Sequence, residues 1–516
     1  MRTALPFLLL PLVACRDVPK ETGAAAVLQD CAPAMVTEHQ AWTPDDLSVL
    51  TQTKGLVGVA VADLTGDGWL DVVLTTQAGT AFLYNDGTGE LAEGTPPEID
   101  LADGWPSGQS IAAVDLEQDG DWDFYIGRAR QPDVIAWSVG GSYRVEVLPD
   151  SEGSAFSGHF ADADGDGDLD LMVANSYFDV EAEDVVAGLV SGDENRLYFQ
   201  DGGRFLDATE RLPADSLDGM TFQAAWVDVE SDGDMDLYIA NDAGPWIAPN
   251  LLLLNDGVGN FTHAPECFCD LAMYAMGVAI SDIEQDGDPD LYITDVGGPN
   301  LLVSQGDGTF FDGTLAAGAD IPPTEQSMTS WGTTAVDLDR DTCDDIAVIF
   351  GVSGSNADFV AEIDPTWVDG AEQPDVLLQG DCEGGFQAVD WGFGDRERGR
   401  SIAVGDLDRD GRPDLVTAGK PFLRTWRTTG GCETGLTVRP AIGTQAIGAR
   451  LTVTIGEIQR TSWLLPWTTS SSSAHEWVIG LSGAAQADTI TVLWPSGQTT
   501  TLTEVAAGSR IDIAPD

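Results

Sequence analysis

Apolar residues in this chain fall in short runs that come in pairs, and each pair brackets a polar break. GVAVADL stands before LDVVLTT, SIAAVDL before WDFYIGR, FQAAWVDV before MDLYIAN and GVAISDI before PDLYITD. The runs alternate in part and are rich in β-branched and aromatic residues, so they predict strands. The breaks are nine-residue loops that begin and end on Asp: Asp63–Asp71, Asp115–Asp123, Asp162–Asp170, Asp228–Asp236, Asp282–Asp290, Asp337–Asp345 and Asp406–Asp414. They return at intervals of roughly 50 to 70 residues, which is an internal repeat. Between them lie further strand and turn signals at 195–209, 250–264 and 300–314. Each unit therefore holds about four strands, the content of one propeller blade. Asn-Asp-Gly and Gly-Asp-Gly steps supply the positive φ angles that tight hairpins need.

Oxygen donors recur inside the loops at positions 1, 3, 5 and 9, so alternate residues of a tight turn converge on one hard cation. The candidate ligands of the first three loops are Asp63, Thr65, Asp67, Asp71; Asp115, Glu117, Asp119, Asp123; and Asp162, Asp164, Asp166, Asp170. The next two offer Asp228, Glu230, Asp232, Asp236 and Asp282, Glu284, Asp286, Asp290. The last two offer Asp337, Asp339, Asp341, Asp345 and Asp406, Asp408, Asp410, Asp414. Carboxylates this crowded repel one another unless a divalent ion neutralises them. Calcium suits an all-protein cage better than magnesium, which keeps its water, so up to seven calcium ions are expected. An EF-hand is excluded, because neither the Glu at position 12 nor the flanking helices are present. Glycine at position 6 lets six of the loops turn sharply, while the sixth loop carries Thr342 there.

These residues resemble the FG-GAP or VCBS repeats over about residues 50–430. The resemblance implies a seven-bladed β-propeller in which each acidic loop binds calcium, with position 7 adding a backbone carbonyl, for example that of Asp168. Thr65, Glu117, Glu230 and Glu284 at position 3 depart from the pattern. After Gly435 the loops stop and Thr- and Ser-rich alternation takes over. Ile447–Arg450, a weaker Glu476–Gly483 stretch and Trp494–Gly497 resemble the ASPIC/UnbV domain. A propeller followed by that domain is the arrangement of the cartilage acidic protein group. The expected fold is all-β, with a propeller over 47–435 and a small β domain over 436–516.

The N-terminal stretch ALPFLLLPLVA is too short to span a bilayer and reads as an export signal over 1–15. Its end, LVAC, resembles a lipobox, which implies lipid attachment at Cys15 and an outer-membrane lipoprotein, since Arg16 is not a retaining Asp. Residues 16–46 read as a tether. The other six cysteines, Cys31, Cys267, Cys269, Cys343, Cys382 and Cys432, suggest up to three disulfides with pairing open. No second pair follows Cys267 and Cys269 at ligand spacing, so zinc is not expected.

A net charge of −63 excludes nucleic-acid binding. The four His residues are scattered and no nucleophile elbow or phosphate loop is found, so no enzyme is expected. The resulting expectation is a calcium-binding, surface-anchored, monomeric lipoprotein that binds an extracellular protein or glycan. The longer inter-loop stretches 175–194 and 351–373 are its expected binding loops. The alternatives are a polysaccharide lyase or hydrolase, or an envelope spacer.

Overall fold

The computed structural model describes residues 31, 34–52, 56–176, 184, 185, 187, 189–321, 329–351, 374–394, 398–441 and 445–515. The export signal, Cys15, nearly half of the stretch 175–194 and nearly all of 351–373 lie outside the described residues.

Each apolar pair forms the first two strands of an antiparallel sheet, and the register is the same every time. The residue before the loop faces the closing Asp: Ala62 with Asp71, Val114 with Asp123, Ala161 with Asp170 and Val227 with Asp236. Ser281 with Asp290, Val336 with Asp345 and Gly405 with Asp414 complete the series. A slip of one residue would exchange the two faces of each strand, and because both faces are buried against different neighbours, packing and the closing Asp pin this register. Seven sheets arise in this way, built outward from the first strands Gly58–Ala62, Ser110–Val114, Ala155–Ala161, Met220–Val227, Val278–Ser281, Ser330–Val336 and Arg398–Gly405. These first strands touch one another in chain order, and the last returns to the first. The result is a propeller-like, nearly all-β ring. Apolar side chains such as Trp137, Phe160, Leu171 and Trp226 fill the space between neighbouring sheets.

The ring closes with help from the N-terminal side. Strand Ala34–Trp42 pairs antiparallel with Phe422–Gly430 and forms the outer edge of the last sheet. The tether expected over 16–46 is thus corrected from residue 34 onward: alternating burial of Ala34 and Val36 makes this a strand. A disulfide between Cys31 and Cys432 fastens the two ends of the ring, while Cys267–Cys269 and Cys343–Cys382 are local links.

The C-terminal region forms two further sheets. One contains Trp477–Gly480, Gly435–Pro440 and Arg510–Ile513; the other contains Ile458–Trp463, Arg450–Ile455, Gln486–Leu493 and Thr499–Ala506. Its own core includes Leu451, Val453, Trp477, Ile490 and Trp494. Between these sheets the chain leaves the domain as a short hairpin, Trp467–Thr468 with Ser471–Ser472, which enters the middle of the ring and pairs with Ala60.

Candidate metal centres

All seven acidic loops share one backbone shape. Position 6 has φ between 77° and 99° and position 4 has φ between 55° and 76°. Position 4 is Gly only in the first and third loops; elsewhere Gln118, Ser231, Gln285, Arg340 and Arg409 take the left-handed conformation. The sequence reading found the turn at position 6 and missed the one at position 4, because side chains there mask it.

The Asp at position 9 has a second role. Its Oδ2 accepts the N–H of position 2, as in Leu116 to Asp123 (2.9 Å) and Ala163 to Asp170 (3.0 Å). Its Oδ1 accepts a backbone N–H from the third strand, as in Gln200 to Asp170 (2.9 Å) and Asn255 to Asp236 (2.8 Å). The same pair of bonds recurs at Asp71, Asp290, Asp345 and Asp414. Each oxygen keeps a further lone pair, so bracing and ligation are compatible.

Position 1 divides the loops into two kinds. In the second to fifth loops both oxygens of Asp115, Asp162, Asp228 and Asp282 accept backbone N–H groups of their own loop. In the sixth and seventh, only Oδ2 of Asp337 and Asp406 does so, from Thr342 (3.1 Å) and Gly411 (3.2 Å). Their Oδ1 atoms, and that of Asp63, are buried without a hydrogen-bond partner. Asp337 and Asp406 are 0% and 1% exposed.

Carboxylate oxygens come within 4.8 Å of one another in Asp162, Asp164 and Asp170, in Asp337, Asp339 and Asp341, and in Asp406, Asp408 and Asp414. Burial, with neighbouring carboxylates adding to it, pushes Asp123, Asp170 and Asp236 up to about 8 and Asp290 to about 9. Asp162 rises to about 6 by burial and by repulsion from Asp166 and Asp164. Buried, mutually repelling oxygens with unpartnered atoms fit a hard divalent cation, which would supply the missing positive charge.

The C-terminal domain sits on this loop face. Arg460 Nη1 contacts Asp337 Oδ2 at 2.7 Å and its Nη2 contacts Asp344. Arg510 bridges Asp406 Oδ2 (3.1 Å) and Glu476 (2.8 Å). A cleft of about 1000 Å³ remains between the third and fourth loops and the Trp494–Gln498 turn. Nothing in the sequence marked Arg460 or Arg510, which lie on strands of another domain.

The central hairpin reaches across the ring. Ser471 Oγ accepts from Val59 N (2.9 Å), Ser472 Oγ from Ala113 N (3.1 Å) and Ser473 Oγ from Val404 N (3.0 Å). Trp467 Nε1 donates to Phe160 O (2.9 Å) and Thr469 Oγ1 to Gln223 Oε1 (3.0 Å). Innermost strands present backbone groups with no further strand to pair them, and short hydroxyl side chains satisfy those groups compactly. Beneath the hairpin, Leu56, Phe156, Phe222, Met276 and Trp331 cluster.

His475 packs edge-on against Trp122 and Trp467, and burial lowers it to about 4. Cys267 and Cys269 lie beside Asp270, a grouping the sequence reading did not make, and the two cysteines are disulfide-bonded.

Comparison with known proteins agrees with this architecture. Residues 63–126, 228–293 and 282–348 match the FG-GAP-like repeat, and residues 398–422 match the FG-GAP repeat. Residues 440–516 match the ASPIC and UnbV family. The chain therefore carries FG-GAP repeats followed by a C-terminal ASPIC and UnbV domain.

It is similar to cartilage acidic protein 1 of Xenopus tropicalis, 24% identical over 237 residues covering 41% of this chain and 35% of that protein. The Homo sapiens protein of that name is 23% identical over 240 residues, with the same coverage. Among solved structures, an Agrocybe aegerita lectin that recognises non-reducing terminal N-acetylglucosamine superposes with a TM-score of 0.41 at 17% identity. It covers 71% of this chain and 92% of the lectin. BBS1N, solved in complex with ARL6DN, gives 0.44 at 8% identity, covering 76% of this chain and 96% of BBS1N. Among the described residues no helix is long and apolar enough to cross a membrane.

Proposed function

We propose that this chain is a calcium-braced, exported binding module that engages a protein or glycan partner, held at the outer membrane by a lipid on Cys15. The observation that carries the calcium reading is the pair of buried, unpartnered Oδ1 atoms of Asp337 and Asp406 within groups of carboxylates. Burying such oxygens without a partner is costly, and a divalent ion removes that cost.

Topology supports the face away from the acidic loops as the binding face. On the acidic face the sixth and seventh loops are engaged by the C-terminal domain through Arg460 and Arg510, and the channel holds the hairpin. Second strands run away from the acidic loops, so the stretches after Asn175 and Phe350 depart from the opposite face. On that face Trp246 is 43% exposed. It hydrogen-bonds Tyr274 Oη at 2.9 Å, an aromatic pair suited to stacking on a sugar ring or a partner side chain.

A thermal melt of the mature, lipid-free chain across a calcium titration from chelator tests the metal reading. Each site that binds only the folded state adds about 2.7 kcal/mol at a hundredfold excess over Kd, so the midpoint should climb with calcium and respond little to magnesium. An unchanged midpoint with no bound metal would discard it.

A further inference from the structure

We infer that Asp337 and Asp406 each serve two cations at once, a divalent ion at Oδ1 and a guanidinium of the C-terminal domain at Oδ2. Ion loading of the sixth and seventh loops thereby locks the C-terminal domain onto the ring and its hairpin into the channel. The inference rests on the calcium reading and goes beyond it by assigning these two loops a task the other five do not share.

Three observations carry it. The first is the division at position 1: only in these two loops does a C-terminal arginine ion-pair with the carboxylate, through Oδ2, while a buried Oδ1 stays without a partner. A carboxylate bridging a guanidinium and a metal uses both oxygens in that way.

The second is charge. The sixth loop itself holds Asp337, Asp339, Asp341, Asp344 and Asp345, against which stand, among the described residues, Arg340, turned toward Cys432 O (2.9 Å), and Arg460, which pairs with Asp337 and Asp344. One guanidinium leaves most of that charge uncompensated, so a divalent ion fits beside Arg460 despite their mutual repulsion, and the favourable coupling comes from each fixing the Asp337 carboxylate in the orientation the other needs.

The third is mechanical continuity. Gly480 N donates to Asp337 Oδ2 (3.2 Å), and Asp406 N donates to Glu476 Oε1 (3.0 Å). The segment 476–480 is thus bolted at one end to the seventh loop and at the other to the sixth. The channel hairpin, Trp467–Ser472, lies immediately before it. Movement of the Asp337 carboxylate on ion loss pulls on that segment directly, and movement of the Asp406 carboxylate reaches it through Arg510 and Glu476. Coupling of this kind is reciprocal: the docked domain raises ion affinity at these two loops by the factor with which the ion favours docking.

Hydrogen exchange of the full mature chain, with and without calcium, reads both ends of the coupling. Calcium should slow amide exchange of 467–480 about tenfold, the middle of the range for coupled sites. Asp341→Asn in the sixth loop should reduce that protection, most of all at the 480 end, and Asp166→Asn, the equivalent change in the third loop, should leave it intact. Arg460→Met should weaken calcium at one site about tenfold by direct titration, with Arg460→Lys recovering part of the loss.

If calcium binds and protects the third and fourth loops while exchange of 467–480 stays the same, the coupling is wrong and the calcium reading stands. If no calcium binds and exchange changes nowhere, both fall. The wild-type comparison decides between these outcomes even where a variant fails to fold.

Discussion

Thr342 occupies a position where the other loops carry glycine, and its φ of 88° is a conformation that β-branched residues rarely hold. Strain of this kind costs on the order of 1 to 3 kcal/mol. Thr342→Gly should therefore stabilise the chain by about 1 kcal/mol after the entropy cost of glycine, measured as a higher denaturant midpoint. Asp170 illustrates the opposite case. Removing its carboxylate leaves the N–H groups of Ala163 and Gln200 buried without acceptors. Asp170→Ala should cost about 2 to 5 kcal/mol even in chelator, whereas a change at the half-exposed Asp164 should matter only when calcium is present.

At the scale of elements, the strand Ala34–Trp42 and the Cys31–Cys432 disulfide decide how the ring closes. The disulfide spans 401 residues of sequence, so its loss frees a very long loop in the unfolded chain. Cys31→Ser should lower stability by about 3 to 5 kcal/mol, visible as a lower unfolding midpoint that reductant reproduces in the wild type. The same carboxylate pattern repeated in every sheet explains why the second strands all start on Asp: Asp71, Asp123, Asp170, Asp236, Asp290, Asp345 and Asp414 each tie a loop to its own third strand.

Over the whole molecule, net charge and buried carboxylates set the response to pH. Asp123, Asp170 and Asp236 titrate near 8 when folded, against about 3.9 when unfolded, so the metal-free native state holds protons the unfolded chain releases. The stabilisation is complete below about 4 and is lost as pH rises through about 8. In chelator the melting midpoint should be higher at pH 5 than at pH 8. Calcium replaces those protons, so saturating calcium should shrink or reverse the difference. A steeper fall with pH in calcium than in chelator would contradict this assignment. Self-repulsion at a net charge of −63 acts in the same direction, and added salt separates it from the buried groups by screening it.

The repeat, the strand pairs, the loop spacing and the change of domain after Gly435 were legible in the sequence, because each is local. Apolar runs, Asp spacing and glycine at position 6 act within about ten residues of chain. Three features needed the tertiary structure. Ala34–Trp42 is a strand only because the last sheet offers it an edge. The run TTSSSS carries no signal for a place in the ring until inner strands present the backbone N–H groups of Val59, Ala113 and Val404 to its hydroxyls. Arg460 and Arg510 are unremarkable on short strands until folding sets them against Asp337 and Asp406, over a hundred residues away in sequence. Local chemistry wrote the loops, and long-range packing chose which of them the C-terminal domain would hold.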